Sequence, residues 1–121
     1  MKRWAVLCAV LALVVAGQSH AQQCGFARCW GAVGVGPDGA RGYAHGQYSE
    51  ALAHRQVQAI CDDNCDTVQT FYNGCGAMAQ GPSGQWGFGE SYSRIEAQDV
   101  ALAFCEGYGA SCEVRAWACS P

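Results

Sequence analysis

Residues 30–61, WGAVGVGPDGARGYAHGQYSEALAHRQVQAIC, and residues 75–105, CGAMAQGPSGQWGFGESYSRIEAQDVALAFC, are two versions of one pattern. Gly31-Ala32 answers Gly76-Ala77. Gly36-Pro37-Asp38-Gly39 answers Gly81-Pro82-Ser83-Gly84, and Gly42-Tyr43 answers Gly87-Phe88. Tyr48-Ser49, Ala53 and Cys61 answer Tyr92-Ser93, Ala97 and Cys105. Beyond the second of these runs of matches, Cys112, Val114 and Cys119 answer Cys65, Val68 and Cys75 with small gaps. Self-similarity at a fixed period marks a duplicated structural unit. The copies span about residues 29–74 and 75–119.

The duplication also decides a motif. Gly34–Gly39 spells G-x-G-x-x-G, the lettering of a dinucleotide-binding turn. The second copy has Ala79 at the first glycine, so what persists is G-P-x-G. Proline presets φ for the first central turn position and glycine supplies the positive φ that follows. A dinucleotide site needs a helix after the glycines, whereas here another strand-like run follows. The stretch is read as a hairpin turn, and no nucleotide or other cofactor is expected.

Around each turn the unit unfolds in order. Trp30–Val35 and Cys75–Gln80 are first strands, with Ala40–Gly46 and Gln85–Glu90 returning. Ser49 and Ser93 are N-caps, and Ser93 to Glu96 spells a capping box. Ala53, Val57, Ile60 and Cys61 recur at helical spacing, as do Ala97, Ala101, Phe104 and Cys105. A last strand closes each unit, Asp66–Tyr72 and Cys112–Ala118. The expected fold is α+β: a duplicated β-hairpin–helix–strand unit. It forms one mainly antiparallel sheet with both helices on one face, stabilised by disulfides.

The N-terminus reads as a signal peptide. Lys2 and Arg3 precede an apolar run from Trp4 to Ala16, and Ser19-His20-Ala21 has the small residues of a cleavage site. The run is shorter than the ~20 apolar residues of a membrane span. Cleavage after Ala21 leaves one domain, residues 22–121, exported to the periplasm or beyond, with no later membrane-spanning segment. Eight cysteines remain: Cys24, Cys29, Cys61, Cys65, Cys75, Cys105, Cys112 and Cys119. An even count in a small exported domain reads as a disulfide framework. The equivalent positions of Cys61–Cys65 and Cys105–Cys112, between helix and last strand, favour these two local bridges. The other four cysteines are left unassigned.

Without Lys2 and Arg3 the domain holds five arginines, no lysine and ten acidic residues, a formal charge of −5. This excludes the basic patch that nucleic acid demands.

The matching pieces resemble a bacterial family of exported domains known as domain of unknown function 4189. They are Trp30-Gly31-Ala32, Trp86-Gly87-Phe88-Gly89, Tyr92-Ser93, Ala97 to Cys105, and Cys112-Glu113-Val114. The second copy departs from the first in opening on Cys75 where the first has Trp30. The resemblance implies export and a small α+β domain. It brings no activity and no functional residues.

Candidate chemistry follows from strand alternation. Ala40, Gly42 and Ala44, and Gln85, Gly87 and Gly89, put small residues toward the Ala-rich helices. The opposite side carries Arg41, Tyr43 and His45, and Trp86, Phe88 and Glu90. Arg115 and Trp117 are expected to join that face. An exposed aromatic and arginine surface has the composition of a binding hot spot; the alternative is that the rings are covered, for instance by residues 22–28.

The leading reading is an exported, non-enzymatic module for a protein or cell-envelope partner, of which an inhibitor or immunity protein is one form. A second is a small cell-wall or polymer hydrolase using His45 and Glu90 as an acid–base pair, or Glu50. A third is a structural envelope protein. No metal site is expected; Asp62, Asp63 and Asp66 are the nearest to one, and the second copy lacks them.

Overall fold

The computed structural model describes residues 23–121. The expected signal peptide, residues 1–21, lies outside the described residues. Two units of identical element order follow one another: β1 (Trp30–Val35), β2 (Arg41–Gln47), α1 (Glu50–Ile60) and β3 (Thr67–Tyr72), then β4 (Gly74–Gln80), β5 (Trp86–Ser91), α2 (Arg94–Glu106) and β6 (Glu113–Ser120).

Local chemistry sets these boundaries. In the first hairpin Gly36 N–H donates to the Ala40 carbonyl, and Asp38 and Gly39 both take positive φ. In the second, Gly81 N–H donates to the Gln85 carbonyl and Gly84 has φ 83°. Ser49 Oγ accepts from Leu52 N–H at 3.2 Å, and Ser93 Oγ from Glu96 N–H at 3.4 Å. Each hydroxyl satisfies a donor that the first helical turn leaves free.

The α+β class, the antiparallel pairing and the bridging are as expected. The sheet count differs. Each unit keeps its own three-stranded antiparallel sheet, in the orders β2-β1-β3 and β5-β4-β6. The helices do not share a face: α1 packs on the first sheet through Ala53 and Val57, α2 on the second through Ala97 and Ala101. The two sheets meet through their other faces in a core of Val33, Val35, Phe71, Met78, Ala116 and Ala118. The physical reason lies in the strands. Val33, Val35, Met78 and Phe71 all point away from their helix, so each unit has a second apolar face. Two such faces bury one another.

The chain changes sheets at Asn73, one residue between β3 and β4 with φ 52°. Its side-chain oxygen accepts from Cys29 N–H at 2.8 Å and its amide nitrogen donates to the Ala27 carbonyl at 3.0 Å. Residues 23–28 are therefore tied to this corner, with Phe26 against Tyr48 and Arg28 over Tyr72. The opposing sheet, and not this segment, covers the apolar faces.

Four disulfides are present: Cys24–Cys29, Cys61–Cys65, Cys75–Cys119 and Cys105–Cys112. Cys75–Cys119 links directly opposed residues of β4 and β6. Among the described residues no helix is long and apolar enough to cross a membrane.

Candidate functional site

Gly42 and Gly87 explain how the functional strands are placed. A Cβ at Gly42 would stand 3.0 Å from the Val57 carbonyl oxygen, and one at Gly87 would meet the Ala101 carbonyl oxygen. β2 and β5 thus lie almost backbone-to-backbone against their helices. Their large side chains are forced onto the side facing the other sheet. As edge strands, β2 and β5 extend beyond what that sheet covers, and their rings stay accessible: Tyr43 is 54% exposed and Trp86 38%.

The expected single outer face is replaced by separate grooves at the edges of the sandwich. The first, of about 580 Å³, lies between β2 and β6 and is lined by Arg41, Tyr43, His45, Ile60, Arg115 and Trp117 among others. The second, of about 690 Å³, includes Trp86, Phe88, Phe104, Tyr108 and Gln69. Phe88 reaches furthest inward, its ring centroid 6.5 Å from that of Phe71. Glu90 lies in neither; it borders a third depression with Tyr72, Asn73 and Tyr92.

Trp117 departs from its expected orientation. Ala79 pairs with Val114 and Met78 with Ala116, so Arg115 is an extra residue in β6. Such a bulge breaks the alternation of faces. Ala116 and Ala118 turn into the inter-sheet core, while Trp117, opposite Ala77, points to the α2 side. There the Arg94 guanidinium lies 4.4 Å from the centre of its ring. Arg115 pairs with Glu113 at 3.5 Å on the surface. Trp117 still borders the first groove because that groove wraps the free edge of β6.

The acid–base pair is not assembled. His45 and Glu90 sit on edge strands of different sheets and line different depressions. Glu50 instead accepts a hydrogen bond from Thr70 Oγ1 at 2.9 Å, joining α1 to β3. Asp62 and Asp63 occupy positive φ in the loop after α1, and Asp66 accepts from Thr67 Oγ1. Among the described residues no three His, Cys, Asp or Glu side chains converge on a metal-sized site.

Two groove residues lie outside the expected binding face. Ile60 and Phe104, at equivalent positions near the helix C-termini, continue the apolar recurrence that marks the helix core. The structure leaves them 51% and 64% exposed, one in each large groove. Their equivalence in the two copies was visible; their exposure follows from where each helix ends over its edge strand.

A family model described as "Domain of unknown function (DUF4189)" matches residues 30–119, and the chain belongs to that family. Among solved structures, it is similar to the NMR structure of Rv1813c from Mycobacterium tuberculosis. The two are 32% identical, with a TM-score of 0.60, over 76% of this chain and 75% of the other. No curated protein matches the chain.

Proposed function

We propose that this protein is an exported, non-enzymatic binding module whose ligand site is the groove between β2 and β6. The reading is carried by one observation: Tyr43 and Arg41 from one sheet, and Trp117 and Arg115 from the other, border a single accessible groove. Aromatic and arginine side chains dominate binding hot spots because they bury large areas and donate directional hydrogen bonds. The volume is that of an ordinary ligand cleft. The separation of His45 from Glu90 leaves the hydrolase reading without a paired acid and base.

Export is supported by the leader-like N-terminus and by four bridges, which persist in oxidising compartments. The partner expected is a protein or another component of the cell envelope, and an inhibitor or immunity role is one form such binding takes.

The test is affinity capture from envelope extracts with three forms of the domain: wild type, Tyr43→Ala/Trp117→Ala, and Trp86→Ala. The reading requires a ligand that wild type and Trp86→Ala retain and the double variant loses. Equal capture by all three folded forms places the site elsewhere.

A further inference from the structure

Which part of a strand a groove touches can be read from the residues that line it. Side chains alternate between faces, so a groove lying on one face of β6 would be lined by every second residue. The β2–β6 groove is lined by Arg115, Ala116, Trp117, Ala118 and Cys119 without a gap. A groove that runs along a strand's edge, where main-chain N–H and C=O groups point outward, meets consecutive residues of both faces in this way, as it also meets Arg41, Gly42 and Tyr43 of the edge strand β2.

That edge is free. β6 is the terminal strand of its sheet, and among the described residues it pairs with β4 alone. After the bulge at Arg115 its pairing is regular through Ser120. At the far end Gly46 N–H of β2 donates to Ser120 Oγ at 2.9 Å, tying the two edge strands together. The free run of five residues is about 17 Å long at a strand's rise per residue.

The charge of the groove opposes that of the protein. Acidic residues outnumber basic ones, ten to seven, in the whole chain. Yet Arg41 and Arg115 line this groove, Arg94 stacks on Trp117 at its border, and no Asp or Glu is among the lining residues; Glu113, just outside it, pairs with Arg115 at 3.5 Å in an exposed contact that an incoming carboxylate can replace. Arginine offers a planar fork of donors matched to carboxylates.

We propose that the groove takes an extended acidic segment of a partner protein, which adds to β6 as a further strand. The inference rests on the groove being the binding site. Main-chain hydrogen bonds to β6 hold the segment, and alternate side chains give specificity, as in other strand-addition complexes. Residues of one parity meet Arg41 and Tyr43 beneath the first sheet; those of the other parity meet Trp117. Carboxylates at alternate positions reach the arginines.

The experiment selects a displayed library of random eight-residue peptides on the immobilised domain, with counter-selection on Arg41→Glu/Arg115→Glu. The expected winners carry Asp or Glu at alternate positions. A synthetic winner should shift the backbone amide NMR signals of residues 115–119, and N-methylation of its alternate amides should weaken it at least tenfold. Winners without an acidic pattern, an N-methylated peptide that binds as well, or a footprint around Trp86 and Phe104 would each overturn the inference. So would acidic oligogalacturonate shifting the same amides when no peptide is selected. If no peptide is selected but envelope capture still depends on Tyr43 and Trp117, strand addition fails and the groove stands as the site. If capture is indifferent to those residues, the site itself is wrong.

Discussion

The ring of Phe71, on β3 of one sheet, rests directly on Gly76, in the central strand of the other. A Cβ built at Gly76 would meet Cδ1 and Cε1 of that ring, and one at Gly31, beside Phe71 in its own sheet, would stand 2.5 Å from its Cζ. Gly31 and Gly76 are equivalent positions of the two units, yet one ring occupies the space above both. Ala118, paired with Gly76, holds the position in β6 that Phe71 holds in β3. A large residue on one side and a small one on the other let β6 approach β1 and β2 closely.

Phe71→Ala is therefore expected to cost about 3–5 kcal/mol, the range for removing a buried aromatic ring. Gly76→Ala should also destabilise, by about 1–3 kcal/mol of overpacking. In Gly76→Ala/Phe71→Leu the costs should fall well short of additive, because both substitutions act on one space. Urea unfolding of wild type, Gly76→Ala, Phe71→Leu and the double variant measures this; additive losses would show that the ring does not need the glycine.

The four bridges should differ in weight. Cys75–Cys119 closes a separation of 44 residues, Cys61–Cys65 one of 4. On the chain-entropy account the longer loop stabilises by about 2 kcal/mol more. Replacing each pair by alanines and comparing thermal midpoints tests the order, and an equal drop for both would place the stabilisation in local native contacts.

Much of this architecture is legible in the residues. Glycine at 42, 87 and 89 announces close helix contact, and Ser49 and Ser93 mark the helix starts. The number of sheets is not legible, because Val33, Val35 and Met78 show only that a second face is apolar, not what covers it. Alternation likewise predicts Trp117 on the face of Phe88, and one extra residue at Arg115 reverses that. The local pattern carries no sign of a bulge, which depends on the pairing with β4. The candidate site was thus readable in its residue types but not in its grouping, which arises where two sheets overlap.

Ile60 and Val57 separate the two kinds of apolar helix position. Val57 is fully buried against β1 and β2, while Ile60 faces the groove. Val57→Ala should lose about 2 kcal/mol from transfer and cavity together. Ile60→Ala should lose less than about 1 kcal/mol, as exposed positions do. Chemical denaturation distinguishes them, and a larger loss at Ile60 would mean that the groove is closed in solution.

Trp117 and Trp86 offer the sharpest contrast. Both are partly exposed indoles on edge strands of the same sheet, but Trp117 borders the groove with the arginines and Trp86 the aromatic one. Trp117 also carries the Arg94 guanidinium, a contact of about 0.5–1 kcal/mol at an exposed site. Trp117→Ala should lower stability by less than about 2 kcal/mol, since neither the inter-sheet core nor any disulfide depends on the ring. Its effect on a captured ligand should be larger, about 2 kcal/mol or more for a hot-spot residue. Trp86→Ala should leave that affinity within about twofold, a change of ~0.4 kcal/mol. Calorimetric titration of both variants, alongside their unfolding curves, checks the pair. Should Trp86→Ala be the variant that loses the ligand, the site belongs to the second groove, where Phe88, Phe104 and Tyr108 supply an uncharged aromatic surface. The arginines of the first groove would then serve only to guard a free strand edge against pairing with other chains.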